Sequence, residues 1–174
     1  MQPNKPIVFF DIDYTLFDTD FFKKSKLSKH QVYEEVIGVL GSLKKIAILG
    51  IFSEGDLEFQ LRKLFKTDIK KYFEQIHMYI VLNKLDEIKK VFEKYSSNKI
   101  FLVDDKLTIL YDLKNFMPAV FAIWVKRGRY AQNQKEIPGF KPDATITDLK
   151  EVIGLVRFRL WPPKGLTVFA APSY

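Results

Sequence analysis

Five short apolar runs punctuate the chain, at Ile7–Phe10, Ile46–Phe52, Ile76–Leu82, Ile100–Val103 and Val120–Val125. Runs of this length without polar alternation predict strands buried on both faces, as a parallel sheet requires. Ala144–Ile146 adds a candidate sixth strand. The segments between them carry a helical period. Leu57, Leu61, Leu64 and Phe65 form one stripe, and Leu85, Ile88, Val91, Phe92 and Tyr95 form another. A helix around 31–43 feeds the second strand, and Thr147 with Glu151 caps a helix reaching Leu155. Strand and helix alternate, which predicts a three-layer α/β/α Rossmann-like sandwich with a mostly parallel five- or six-stranded sheet. The pattern changes after Val156, where Pro162, Pro163 and Gly165 break any helix while Leu166, Val168 and Phe169 stay apolar. One domain over 1–156 and an extension over 157–174 are expected. The extension could pack on the body, add an edge strand or meet a partner.

The polar residues that end these runs are of one chemical set. The first run leads into Asp11-Ile12-Asp13-Tyr14-Thr15, the second into Ser53-Glu54-Gly55-Asp56, the third into Asn83-Lys84 and the fourth into Asp104-Asp105. In an open parallel sheet, ligands bind beyond the carboxyl ends of the strands. The pattern therefore gathers several carboxylates, a hydroxyl and an ammonium at one crevice. Clustered carboxylates repel, and a divalent cation removes that conflict. The chain has no cysteine, and His30 and His77 are too few and too far apart for a zinc site. Oxygen ligation is left, which favours Mg²⁺. Ser53 and Lys84 are then spare for a ligand with negative oxygens, best matched by phosphate. The backbone N–H groups of Glu54 and Gly55 are expected to add donors.

The order Asp-x-Asp-x-Thr, then Ser after a hydrophobic strand, then Lys, then Asp-Asp resembles the haloacid dehalogenase (HAD) superfamily over roughly residues 6 to 156. The resemblance implies a Mg²⁺-dependent phosphohydrolase acting on phosphoric monoesters. Asp11 would be the nucleophile and form an aspartyl-phosphate; Asp13 would be the general acid and base. Thr15 would steady the loop beside the phosphate, and Ser53 and Lys84 would bind phosphoryl oxygens. Asp11, the Asp13 carbonyl, Asp104 and Asp105 would hold the metal, Asp105 directly or through water. Superfamily members that cleave carbon–halogen bonds lack the second acidic residue, so Asp13 favours phosphate chemistry. Lys84 is followed by Leu85 where the family often has Pro, which leaves Lys89 and Lys90 as rivals. Lys84 is preferred because it sits at the strand end; Lys99 lies at the opposite edge.

The spacing leaves little room for a cap. After the helix around 31–43, only about Leu16 to Ser28 remains for a small flap, and one helix and one strand use up the stretch between Ser53 and Lys84. An open site suits a large substrate, or closure by a neighbouring subunit. Phe17, Phe21 and Phe22 could stack on a substrate, although aromatics on such a loop more often anchor it in the core.

The apolar share of 47%, in 174 residues, suits one folded soluble domain. The run Ile7–Phe10 is too short for a signal peptide, and no run approaches a membrane span, so a cytoplasmic location is expected. The net charge of +7 rests partly on Lys23, Lys24, Lys26 and Lys29, and on Arg157, Arg159 and Lys164 near the end. These read as solvated surface, or as attraction for a phosphorylated substrate or a nucleic acid. A rival function is a basic nucleic-acid- or phosphate-binding protein with an idle catalytic fold, but no nucleic-acid-binding module is recognisable. Taken singly, each motif has a plain alternative, such as a helix cap for Asp11 and Asp13 or a surface charge for Lys84. Their coincidence at successive strand ends is the argument. Arg127 and Arg129 follow the fifth strand near the crevice rim. If the flap lysines steer an anionic substrate, salt raises KM more than it lowers kcat; a KM that ignores salt would count against steering.

Overall fold

A computed structural model describes residues 5–160. Six strands form one sheet: β1 (Ile7–Phe10), β2 (Ile48–Glu54), β3 (Met78–Val81), β4 (Ile100–Asp104), β5 (Phe121–Val125) and β6 (Ala144–Ile146). Their order across the sheet is β3-β2-β1-β4-β5-β6, and every neighbouring pair is parallel. The sandwich expected from the apolar runs is the fold observed. The order reverses at β1, whose neighbours are β2 and β4, so the crevice at its carboxyl end is the switch point of the sheet.

The helices are α1 (Thr19–Lys24), α2 (Val36–Leu43), α3 (Leu57–Lys66), α4 (Lys84–Phe92), α5 (Leu107–Phe116), α6 (Gly128–Gln132) and α7 (Lys150–Leu160). Alternate residues of each strand serve opposite faces. Val8 and Phe10 join Val36, Leu40 and Leu43 of α2 and Val152 and Val156 of α7 in one core. Ile7 and Phe9 join Ile88, Val91 and Phe92 of α4 and Leu110 and Leu113 of α5 in the other. This is why the strands read as unbroken apolar runs. Among the described residues no helix is long and apolar enough to cross a membrane.

Several boundaries differ from the sequence reading, each for a physical reason. The second strand starts two residues late and takes in Ser53 and Glu54, which pair with Ile80 and Val81 as the last rungs of the ladder. The helix expected around 31–43 begins only at Val36, because Val32 bridges to Phe17 instead. The α3 stripe is buried only in part: Leu64 faces inward beside Gln60 and Lys63 and Leu61 is half-buried, whereas Leu57 is 54% and Phe65 63% exposed. Thr147 is not a side-chain cap. The Glu151 carboxylate accepts from the N–H groups of Thr147 and Asp148, and Asp148 accepts from Lys150 N–H. The last helix continues past Leu155 to Leu160. The extension from residue 161 onward, with its apolar Leu166, Val168 and Phe169, lies outside the described residues.

The flap holds one short helix, α1, capped by Asp18, whose side chain accepts from Phe21 N–H. Phe17 and Phe22 are buried and meet edge to face, with ring centroids 5.3 Å apart, so they anchor the loop; Phe21 is half-buried.

Gly50 lies in β2 where Phe9 crosses it. A Cβ there would sit 2.6 Å from the Phe9 ring and 2.8 Å from the His77 carbonyl. Gly50→Ala should lose about 1–3 kcal/mol in urea unfolding through overpacking. An unchanged midpoint would show that Phe9 can move aside.

Candidate active site

The first motif is held from several sides. Asp11 N–H donates to the Val103 carbonyl at 3.0 Å, so the residue remains pinned to β4 beyond the end of β1. The chain then turns, with the Ile12 carbonyl accepting from the N–H groups of Thr15, Leu16 and Phe17. Tyr14 takes a left-handed φ of 57° to make this turn. Arg127 clasps the turn by donating to the carbonyls of Tyr14 and Thr15, pairs with Glu35, and lies 3.6 Å from the Tyr33 ring centroid. A Cβ on Gly128 would meet the Tyr14 ring at 2.5 Å, so glycine is what allows the tyrosine to pack there. The rim position suggested for Arg127 is in fact this clasp, while Arg129 is exposed.

Inside the turn, the sequence-predicted residues of four strands converge. Lys84, fully buried at the start of α4, donates to Asp11 Oδ1 at 2.5 Å and to Asp104 Oδ2 at 2.6 Å. Lys89 and Lys90, its rivals, are exposed, and Lys90 pairs with Glu87. Asp11, Asp104 and Asp105 each bring an oxygen to a cluster whose members lie within 4.8 Å of one another. The Asp104–Asp105 loop is fixed by its backbone. Lys106 N–H donates to Asp104 Oδ1, and the Asp105 carbonyl accepts from Trp124 Nε1 and Gln134 Nε2. Among the described residues six buried side-chain polar atoms have no hydrogen-bond partner, and three of them belong to the sequence-predicted site residues: Ser53 Oγ, Thr15 Oγ1 and Asp105 Oδ2. Buried polar groups are rarely left unpaired without a cause, and a bound ligand or ion would satisfy them.

Two expectations need correction. Gly55 N–H is not free for phosphate, because it donates to the Val81 carbonyl at 2.8 Å. Helix α3 starts only at Leu57, with the Asp56 side chain accepting from Phe59 N–H. Glu54 contributes through its side chain: its carboxylate accepts from Lys84 N–H at 3.0 Å and from Lys106 Nζ at 2.7 Å, tying the second, third and fourth strand ends together. The Asp13 carboxylate, for its part, is absent from the acidic cluster. Lys63 Nζ donates to both of its oxygens at 2.7 and 2.6 Å, Thr19 Oγ1 donates at 2.6 Å and Gln60 Nε2 at 2.9 Å. Lys63, Gln60 and Thr19 went unrecognised in the sequence. Lys63 and Gln60 lie three apart in a segment read as an ordinary amphipathic helix, and nothing in that segment marks their face as a buried one.

Charge follows this geometry. Burial pushes the Asp11 carboxyl up to about 6, with Lys84 pulling down and Asp104 and Asp13 pushing up. Burial, reinforced by Asp11 and Asp104, pushes Asp105 up to about 9. Burial alone would lower the Lys84 ammonium, but Asp104 and Asp11 outweigh it and hold the group charged. Burial also works to raise Asp13, yet the Lys63 charge and the three donor side chains hold it below the usual carboxylate range. Were all three carboxylates ionised, two negative charges would stand uncompensated beside one ammonium in a dry pocket, which is why burial and mutual repulsion hold protons on Asp11 and Asp105. A hard divalent cation fits that donor set: all oxygen, closely spaced, with an orphaned carboxylate oxygen at hand.

No protein-family model and no curated protein matches the sequence. Solved structures do match. A protein of Burkholderia xenovorans described as a haloacid dehalogenase-like hydrolase superposes with a TM-score of 0.76 at 20% identity, over 91% of this chain and 100% of that one. The HAD-hydrolase YfnB of Bacillus subtilis, solved bound to magnesium, gives 0.70 at 12% identity over 88% and 99%. A predicted phosphoglycolate phosphatase of Haemophilus somnus gives 0.68 at 12% over 89% and 99%. Dehalogenases are among the matches as well. The fold is therefore that of the HAD-like hydrolases, with the sequence motifs of that fold on the expected strand ends.

Asp11 and Asp105 keep protons in the folded state that the unfolded chain has already lost at its ordinary value of 3.8. Without a cation, stability should fall as pH rises from that value toward about 9. Added Mg²⁺ competes with those protons, so it should raise Tm more at pH 8 than at pH 5. An equal shift at both pH values would separate metal binding from these carboxylates.

Proposed function

We propose that the chain is a Mg²⁺-dependent phosphohydrolase that acts on phosphoric monoesters through an aspartyl-phosphate on Asp11. The observation that carries this reading is the buried Asp11–Lys84–Asp104 contact, with Asp105 beside it and the Ser53 hydroxyl unpartnered. A nucleophilic carboxylate must be kept from solvent, oriented, and offset by a cation that also meets the incoming phosphoryl oxygens. Lys84, buried and bonded to Asp11 and Asp104, supports the assignment of that cation.

In the first half of the reaction an Asp11 oxygen forms a bond to phosphorus while the bond from phosphorus to the ester oxygen breaks. The departing oxygen takes a proton from the Asp13 carboxyl. In the second half water gives a proton to the Asp13 carboxylate and its oxygen bonds to phosphorus. The Asp11–phosphate bond breaks, and inorganic phosphate leaves. Ser53 and Lys84 bind the phosphoryl oxygens throughout, with Thr15 and the Glu54 N–H as further candidate donors. Asp11, the Asp13 carbonyl, Asp104 and Asp105 are the groups that would hold Mg²⁺, which when bound supplies charge neutralisation for the phosphoryl group. Among the described residues the flap amounts to α1 and its loop, with no folded cap, which suits a substrate larger than its phosphate.

Release of phosphate from p-nitrophenyl phosphate tests this directly. Wild type should turn over with Mg²⁺ and stop with EDTA, and Asp11→Asn should lose at least about a thousandfold in kcat. A protein that releases no phosphate with Mg²⁺, yet binds oligonucleotides with steep salt dependence, would move the reading to an idle binding fold.

A further inference from the structure

The first motif carries two aspartates, and each has its own buried lysine. Lys84 belongs to Asp11. Lys63 belongs to Asp13, and among the described residues Asp13 is the carboxylate it pairs with. Lys63 is 3% exposed on α3, a helix with open surface on its other side, where Leu57 and Phe65 stand in solvent. Its ammonium lies 5.2 Å from the Phe17 ring centroid and 4.7 Å from that of Phe59. An ammonium enclosed this way has given up most of its water, which is costly unless a specific partner compensates. Lys63 meets both oxygens of that partner.

Gln60, one turn earlier on the same helix, completes the arrangement. Its amide nitrogen donates to Asp13 Oδ2 and to the Glu54 carbonyl, each at 2.9 Å, so the helix is registered against the end of β2 while it holds the carboxylate. Thr19 supplies the last bond from α1 and also accepts from Tyr14 N–H. The direction of the Asp13 side chain is thus set by two helices outside its own strand. In a crevice without a folded cap, an unheld aspartate would sample several rotamers, and only some would reach a water beside Asp11. A carboxylate held by four hydrogen bonds from three side chains keeps one direction.

We propose, on the phosphohydrolase reading given above, that Lys63 is a positioning residue for the second half of the reaction. With Gln60 it orients the Asp13 carboxylate to take the proton of the water that attacks the phosphate on Asp11. Lys63 itself touches neither phosphorus nor water. The role is separable from that of Lys84, which belongs to the binding of phosphate and to the nucleophile in both halves.

The consequence is a change of rate-limiting step. Lys63→Met and Lys63→Arg are compared with wild type on p-nitrophenyl phosphate and on an alkyl phosphate, with Mg²⁺, alongside the fraction of enzyme trapped as phosphoenzyme by acid quench. Lys63→Met should lower kcat about 10–100-fold on p-nitrophenyl phosphate. Its kcat/KM there should stay within about threefold, because phosphoenzyme formation from a good leaving group is spared. Phosphoenzyme should accumulate in Lys63→Met, and Lys63→Arg should reverse part of that accumulation. Gln60→Leu should show the same pattern more weakly, and carries the test if Lys63→Met does not fold. A fall in kcat and kcat/KM together without phosphoenzyme would overturn the positioning role, as would unchanged kinetics. Wild type that releases no phosphate would overturn the phosphohydrolase reading and this role with it. Wild type that turns over normally beside an unaltered Lys63→Met would overturn this role alone.

Discussion

Three carboxylates meet one ammonium at a place from which water is nearly excluded, and most of the molecule can be understood as what it takes to hold them there. Asp104 and Lys84 are fully buried, and Asp11 and Asp105 almost so. Isolated charges do not survive such burial, and removing one partner from such a group leaves the others uncompensated. The cluster therefore has to be built as a unit. Lys84 bridges Asp11 and Asp104, Glu54 grips the backbone where Lys84 begins, and Lys106 returns from the fourth strand to Glu54. The carboxylates still outnumber the ammonium, an imbalance that a cation would offset.

Delivery of these groups is the work of the sheet. A parallel sheet places successive strand ends at one edge, and the reversal of order at β1 opens the crevice between β2 and β4. Side chains on the two faces of β1 lock it between separate cores, which keeps Asp11 from shifting along the strand. The turn after Asp11 is irregular and needs outside support. Arg127, from beyond the fifth strand, supplies it through two carbonyls and stacks on Tyr33. Asp13 lies on the far side of that turn and is governed by helices, so the two aspartates answer to different parts of the fold.

That division explains what the sequence revealed and what it hid. The meeting of Asp11, Lys84, Asp104 and Asp105 was legible because each follows an apolar run, and parallel topology forces such ends together. The small flap was legible from spacing, and Phe17 and Phe22 took the anchoring role usual for aromatics. The hidden features depend on side chains reaching across elements. Lys63 looks like surface charge in a helical stripe of leucines, and only the position of Asp13 makes its face the buried one. Gly55 looked like a phosphate donor beside a helix start, but the strand ladder ran on and claimed its N–H. Arg127 gave no local cue, since its partners Glu35 and Thr15 are remote in sequence. Strand periodicity fixes which ends meet, whereas a pairing between one helix and one loop leaves no periodic trace.

The central claim is that Asp11 receives the phosphoryl group within a magnesium-bearing pocket. A crystal structure of the protein grown with Mg²⁺ and beryllium fluoride, a mimic of an acyl phosphate, tests it most directly. The account predicts trifluoroberyllate bonded to an Asp11 carboxylate oxygen, its fluorines met by Ser53 and Lys84, with Mg²⁺ about 2.1 Å from oxygens of Asp11 and Asp104. A pocket holding neither group, or an adduct on any residue other than Asp11, would contradict it.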